Sequence, residues 1–230
     1  MNIIASRLKM LHQDIANILA DVGRGGDPVC LLAVSKTRSL AEIEAAITAE
    51  QLHFGENQVQ EALPKIEALC DRGLVWHFIG NLQQNKTRKI AESFDWVDSL
   101  DSIRIAERLN SQRPAHLGRL NVCIQVNISC DPHKNGIDVN ELDNFANQVQ
   151  LLPRLKLRGL MTILQDGLDS ITIRSYYREL KQFFEHLKRQ GYQLDTLSMG
   201  MSGDYEEALL EGATTIRLGT WIFGAREAGG

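Results

Sequence analysis

At 230 residues, 43% apolar and 23% charged, the chain has the size and composition of one ordinary globular domain. Its 25 basic and 29 acidic residues leave a net charge of −4 without a basic block, which argues against nucleic acid as a main partner. No apolar run approaches bilayer length, and Arg7, Lys9 and Asp14 break the first amphipathic stretch in a way no signal peptide does, so a cytoplasmic protein without a membrane partner is expected. The four cysteines (Cys30, Cys70, Cys123, Cys130) form no CxxC pair and read as reduced thiols. Trp76-His77 and Asp131-Pro132-His133 are too isolated to suggest a metal site.

Ile4, Leu8, Leu11, Ile15, Ile18 and Val22 recur at spacings of four and three, which predicts a helix over 1–22 of about six turns. Gly23, Gly25, Gly26 and Pro28 end it. A strand is predicted over 31–36, ending on Lys36, and a helix over 40–50. A short strand over 52–56 follows. Asn57 stands at the start of a helix whose Val59, Leu63, Ile66 and Cys70 share a face, with Pro64 expected to bend it or break it early. The third strand covers 75–80, before a polar helix with Lys86, Arg88 and Lys89. A fourth strand is only Trp96-Val97, because Asp98, Ser99 and Asp101 read as N-caps for a helix through Ile105 and Leu109.

The fifth strand covers 120–127 and leads into a polar, turn-rich loop over 129–136. Asp138 opens a helix carrying Leu142, Phe145, Val149 and Leu152, which Pro153 ends. A sixth strand covers 155–163. A long helix carries Ile173, Tyr176, Tyr177, Leu180, Phe183, Phe184 and Leu187 and closes at Gly191. A strand over 194–199, a helix over 205–211, a strand over 214–218 and a helical turn over 220–225 complete the order. Strand and helix alternate about eight times, which predicts an α/β fold with a parallel sheet. In a chain this short the natural closure is a single (β/α)8 TIM barrel over 29–226, with the extra N-terminal helix before it and one domain over 1–230. An open doubly wound sheet is the alternative.

Chemistry in such a barrel gathers at the C-terminal ends of the strands. Three features fall there. The segment Ser-Met-Gly-Met-Ser-Gly-Asp over 198–204, together with Leu218-Gly219-Thr220, supplies glycines and hydroxyls in the loops after strands seven and eight, where these barrels hold phosphate. Two ordinary turns are the competing reading. Arg217 shares a strand face with Thr215 and Gly219, opposite Ile216 and Leu218, so it is expected inside the barrel, where a buried salt bridge is the competing role. Lys36 ends strand one on the face of Leu32 and Val34. An apolar setting favours neutral lysine, which forms a Schiff base with an aldehyde. Together these features point to a phosphorylated aldehyde held on Lys36. Asn57 reads equally well as an N-cap or a ligand contact, and His77 more readily as a hydrogen-bonded core histidine than as an acid or base. The Lys86/Arg88/Lys89 cluster reads as a solvated face, and mid-strand Arg158 needs a partner that the sequence does not name.

The motifs also carry a resemblance. They are Leu-Ala-Val-Ser-Lys-Thr at 32–37, Phe-Gly-Glu-Asn at 54–57 with Val59-Gln60-Glu61, and Trp-His-Phe-Ile-Gly at 76–80 with Leu-Gln-Gln-Asn-Lys at 82–86. Arg-Gly-Leu-Met at 158–161, Leu-Ser-Met-Gly-Met-Ser at 197–202, Ile-Arg-Leu-Gly-Thr at 216–220 and Ile-Phe-Gly-Ala-Arg at 222–226 complete the set. In this order they closely resemble the YggS/PROSC family of pyridoxal 5'-phosphate (PLP) homeostasis proteins. The resemblance implies an alanine racemase N-terminal-type barrel that binds PLP. It implies Lys36 as the Schiff-base lysine and Arg217 facing the pyridine nitrogen. Ser198, Ser202, Gly219 and Thr220 would hold the phosphate, and Asn57, His77, Met161 and Met201 would line the ring and its hydroxyl. Two departures are visible: Gly203 stands where relatives often carry aspartate, and Ile163-Leu164-Gln165 replaces a proline-containing turn.

Arginine can only donate to the ring nitrogen, which weakens the cofactor as an electron sink. The chain stops at Gly230 with no room for the second domain of alanine racemases, and Tyr205 is the only tyrosine expected near the site loops. A monomeric PLP carrier is therefore expected, acting in vitamin B6 homeostasis and amino- and keto-acid balance with little turnover and with PLP-dependent apoenzymes as possible recipients. The alternatives are a low-activity amino-acid racemase and a Schiff-base aldolase of sugar phosphates.

Overall fold

A computed structural model describes residues 3–225. The N-terminal two residues of the 1–22 helix, Arg226 at the end of the barrel and of the last motif, and the remaining residues to 230 lie outside that range.

The expected alternation is realised as a closed barrel of eight parallel strands in sequence order. The strands are β1 (Cys30–Val34), β2 (His53–Glu56), β3 (Val75–Phe78), β4 (Trp96–Leu100), β5 (Leu120–Gln125), β6 (Leu155–Met161), β7 (Thr196–Ser198) and β8 (Thr215–Leu218). The helix α1 (Ile3–Asp21) precedes them. Between and after the strands lie α2 (Leu40–Ile47), α3 (Val59–Ala68), α4 (Thr87–Ser93), α5 (Ile103–Gln112), α6 (Leu142–Gln150), α7 (Ser170–Arg189), α8 (Tyr205–Leu210) and α9 (Thr220–Phe223). No helix among the described residues is long and apolar enough to cross a membrane.

The hydrophobic core is the shell between sheet and helices. Leu31, Ala33, Phe54, Trp76, Phe78, Ile216 and Leu218 face outward into it, against stripes such as Ile173, Tyr177, Leu180 and Phe184 of α7. The alternate strand residues turn into the lumen, as a period of two requires. There Leu32, Cys123 and Met161 lie buried beside polar side chains and outside the outer core. Burial pushes the Cys30 thiol up to about 12 and holds the Cys123 thiol protonated. All four cysteines are free.

Helix α1 packs on α2, α8 and α9. Its buried stripe is Ile4, Leu8, Leu11, Ile15 and Leu19, and Val22 lies past the helix end and is exposed. The helical period favours Leu19, one turn after Ile15, over the Ile18–Val22 continuation. A capping box starts α2: the Ser39 hydroxyl accepts from Glu42 N–H and the Glu42 carboxylate takes the Ser39 N–H. Pro64 neither ends nor breaks α3, which runs on to Ala68. The largest correction concerns β4, which extends to Leu100. Asp98 and Ser99 are buried strand residues, and Ser102, not Asp98, Ser99 or Asp101, occupies the cap position of α5. Short polar residues favour caps in general, but here the inside of a barrel gives the carboxylate a partner.

Candidate functional site

Lys36 sits two residues beyond the end of β1, half-buried, in the turn that leads to α2. Its backbone is held on both sides. Ser35 is fully buried: its N–H donates to Gly55 O (3.0 Å), its hydroxyl donates to Glu56 Oε1 (2.6 Å), and its carbonyl accepts from Lys65 Nζ (2.9 Å). Lys65 also pairs with Glu56 Oε1 at 2.7 Å. Thr37 adopts φ +64°, a left-handed conformation that costs a β-branched residue on the order of 1–3 kcal/mol. The Thr37 N–H donates to Glu61 Oε2 at 3.2 Å. Glu61 and Lys65, one turn apart on α3, thus grip the residues flanking the lysine. Arg38 ties the same turn to α9 through the Gly224 carbonyl (2.6 Å) and the Phe223 ring (5.6 Å to its centre).

Asn57 lies between β2 and α3. The cap position of α3 belongs to Gln58, so the capping alternative for Asn57 is not realised. A Cβ at Gly80 would fall 2.1 Å from Asn57 O, so only glycine lets the loops after β2 and β3 touch there.

Across the barrel, Arg217 points inward, as alternation requires, and is buried. It donates to Ser198 Oγ (2.8 Å) and Thr162 O (2.7 Å). Burial pulls its pKa down, while the more distant Tyr177, Asp98 and Asp204 act the other way. Among the described residues it forms no ion pair, so the salt-bridge alternative is not realised. Buried Met161 pairs with Ser198 in register at the ends of β6 and β7.

The loop after β7 is pinned from several sides. Gly200 has φ +92°, and a Cβ there would meet Ala208 Cβ at 2.6 Å. Met201 N–H donates to Asp204 Oδ1 (2.6 Å), the Tyr177 hydroxyl donates to Asp204 Oδ2 (2.5 Å), and Trp221 Nε1 donates to Ser202 O (2.8 Å). After β8, Gly219 packs close to β1, where a Cβ would lie 3.2 Å from Val34 O. Its carbonyl accepts from the Ile222 and Phe223 N–H groups. The N–H groups of Ser202, Gly203, Gly219 and Thr220 donate to no protein acceptor among the described residues. The structure therefore brings Met161, Ser198 and Arg217 together in one cluster. It sets Met201 and Ser202 beside Trp221, and Gly219 and Thr220 beside the strand that delivers Lys36.

His77 is different. Its Nδ1 lies 3.1 Å from Asp98 Oδ1, its Nε2 lies 3.1 Å from His53 Nδ1, and its ring stacks on Trp96 at 5.0 Å. A carboxylate at Nδ1 fixes the proton there, so Nε2 accepts from His53. Both nitrogens are thereby engaged, which leaves His77 only its ring edge to offer a ligand. Beside it, Arg158 finds its partner in Asp195 (2.9 Å and 2.7 Å), with Asn121 at 2.8 Å and the Trp96 ring 4.5 Å away. Sequence reasoning missed Asp98, whose alternation with Trp96 was the available signal, and Tyr177, which read as a packing residue of the long helix; it gave no role to Lys65 and placed Asp204 in the loop without its partner. Tyr205 is not the only tyrosine at the site loops, because Tyr177 reaches Asp204 there.

The arrangement compares closely with known proteins. The family model of the alanine racemase N-terminal domain matches residues 9–227. The pyridoxal phosphate homeostasis protein of Escherichia coli is 47% identical over 230 residues, covering 99% of this chain and 98% of that one. Its namesake in Pseudomonas aeruginosa is 45% identical over 229 residues, with 100% and 98% covered. Among solved structures, PipY of Synechococcus elongatus with PLP bound matches with a TM-score of 0.80 at 41% identity, over 91% of this chain and 100% of that one. The chain belongs to the alanine racemase N-terminal domain family, among the pyridoxal phosphate homeostasis proteins.

Proposed function

We propose that this protein binds PLP as a Schiff base on Lys36 and buffers or delivers it within the cytoplasm, as a single-domain monomer that supplies PLP-dependent apoenzymes and supports vitamin B6 and amino- and keto-acid balance. The observation that carries the reading is a site made almost wholly of donors. It comprises an amine on a braced turn and, among the described residues, a buried guanidinium without a carboxylate partner and two glycine-containing loops with unclaimed N–H groups. Such a set fits a ligand with an aldehyde, an acceptor ring nitrogen and a phosphate. Arg217 would donate to the ring nitrogen. Ser202, Gly219 and Thr220 would hold the phosphate, with Ser198 orienting Arg217 from below. Asn57, Met161 and Met201 would line the ring.

Bound PLP supplies an electron sink for charge at the Cα of an amino acid. This chain's residues do little to exploit it. Arg217 stays a donor, so it leaves the ring nitrogen unprotonated. The two phenols at the site loops are both engaged, Tyr177 with Asp204 and Tyr205 with Asp14 (2.6 Å). Burial and those carboxylates raise both phenols above the usual tyrosine range, so neither is suited to take a proton near neutral pH. The deciding experiment is a visible spectrum of PLP-loaded protein before and after borohydride, with Lys36→Ala alongside. A band that borohydride bleaches and the variant lacks is expected. An unchanged band in the variant would refute the lysine assignment. Isotope exchange at Cα of free amino acids above the rate of free PLP would favour the racemase alternative instead.

A further inference from the structure

We infer that Tyr177 and Asp204 form a latch that shapes the loop after β7 and sets how firmly a phosphate is retained there. The inference rests on the PLP reading above and deepens it: Tyr177 and Asp204 are positioning residues, not contacts.

Asp204 is the one carboxylate built into the loop, next to the place where a phosphate dianion would bind. Left free, it would repel that ligand. Both of its oxygens are instead engaged. Oδ1 takes the Met201 N–H at 2.6 Å, which turns that donor back into the loop and leaves the Ser202 and Gly203 N–H groups without a protein acceptor among the described residues. Oδ2 takes the Tyr177 hydroxyl at 2.5 Å, slightly shorter than the Met201 contact on the other oxygen. Tyr177 is itself almost fully buried in the middle of the twenty-residue helix α7, so the loop is moored to a rigid outer element rather than to its own strand. A phenol held protonated by burial and by the carboxylate keeps donating throughout the physiological range, which makes the latch a constant restraint rather than a pH switch. On the far side of the loop, the Trp221 indole holds Ser202 O. With the phenol removed, only the short Met201–Asp204 turn and that indole would order the phosphate-facing N–H groups.

The latch acts on the phosphate end of the ligand alone, which gives it a readout that a general loss of stability does not share. The experiment compares PLP with pyridoxal, which carries the aldehyde and ring but no phosphate, for equilibrium binding and release from wild type and Tyr177→Phe. Loss of one hydrogen bond to a charged group predicts roughly tenfold weaker PLP binding and correspondingly faster release, with pyridoxal unchanged within about twofold. Equal weakening of both aldehydes, or no change in either, would overturn the latch. If Tyr177→Phe does not fold, Asp204→Ala carries the test with the same selective loss of PLP expected, and a gain in PLP affinity would overturn it. Failure of the underlying reading looks different: wild type itself would then form no borohydride-sensitive band with either aldehyde.

Discussion

The two levels of the barrel lumen are both polar, yet they are built on opposite rules. In the lower one, hydrogen-bonding groups are matched: Asp98 with His77, His77 with His53, and Arg158 with Asp195 and Asn121 over Trp96. At the mouth, among the described residues, donors outnumber acceptors, with Arg217 served only by a hydroxyl and a carbonyl and the loop N–H groups unclaimed. Buried polar groups are normally satisfied within the protein. A matched set therefore reads as architecture, and an unmatched set on the catalytic face of a barrel reads as a binding site. Under that rule His77 belongs to the architecture, even though its motif suggests the site.

Substitutions should separate the two levels. The largest effect is expected between them, at the brace under Lys36. Lys65→Met leaves Glu56 buried without its cation, and one Glu56 oxygen already has no partner among the described residues. A loss of about 3–5 kcal/mol in urea unfolding is expected, together with slower borohydride trapping on Lys36. Adding Glu56→Leu should restore most of the stability and not the trapping rate. If the double variant traps normally, the brace does not position the lysine.

Arg217→Met should do the reverse. With only neutral partners to lose, its stability cost should stay near 1–2 kcal/mol, while PLP affinity falls more than tenfold by equilibrium titration. His77→Gln is expected to cost about 1–3 kcal/mol through the His53 and Asp98 partners it leaves, with PLP affinity unchanged within about twofold. A large loss of affinity without loss of stability would move His77 to the mouth.

The smallest effect is a pH dependence. Burial, with the neighbouring His77, lowers the pKa of His53 below the ordinary 6.5. The unfolded chain then binds more protons there than the folded one, so stability is full above 6.5 and falls as pH drops through that value toward the depressed one. Melting temperatures should decline from pH 7 to pH 5, and His53→Gln should flatten the slope.

What could be read from the sequence was local. Alternation in Thr215-Ile216-Arg217-Leu218 put Arg217 inside the barrel, and the glycines after β7 and β8 marked the loops. Strand existence followed from apolar runs, although ends slipped by one to three residues where polar residues such as Ser35 or Thr162 still lay in the barrel wall. The partners were not legible. Asp98 meets His77 from 21 residues away, Asp195 meets Arg158 from 37 and Asp204 meets Tyr177 from 27. No period or spacing encodes such pairs; only closure of the barrel brings them together. Asp98 was further disguised, because an aspartate followed by serine looks like a helix start until a histidine on the next strand accounts for it.

The wall of the barrel is not equally strong all round. Six residue pairs hold β5 to β6, whereas β7 meets β8 through Ser198 and Thr215 alone, the rest being loop hydrogen bonds. That thin seam opens directly under the two loops proposed to grasp the phosphate. A ligand bound across them would act as a clasp, adding about 2.7 kcal/mol of stability at a hundred times its dissociation constant. Protein without the ligand should then fall to proteases sooner than loaded protein. The lifetime of the chain in the cell would then follow the supply of the ligand proposed for these loops.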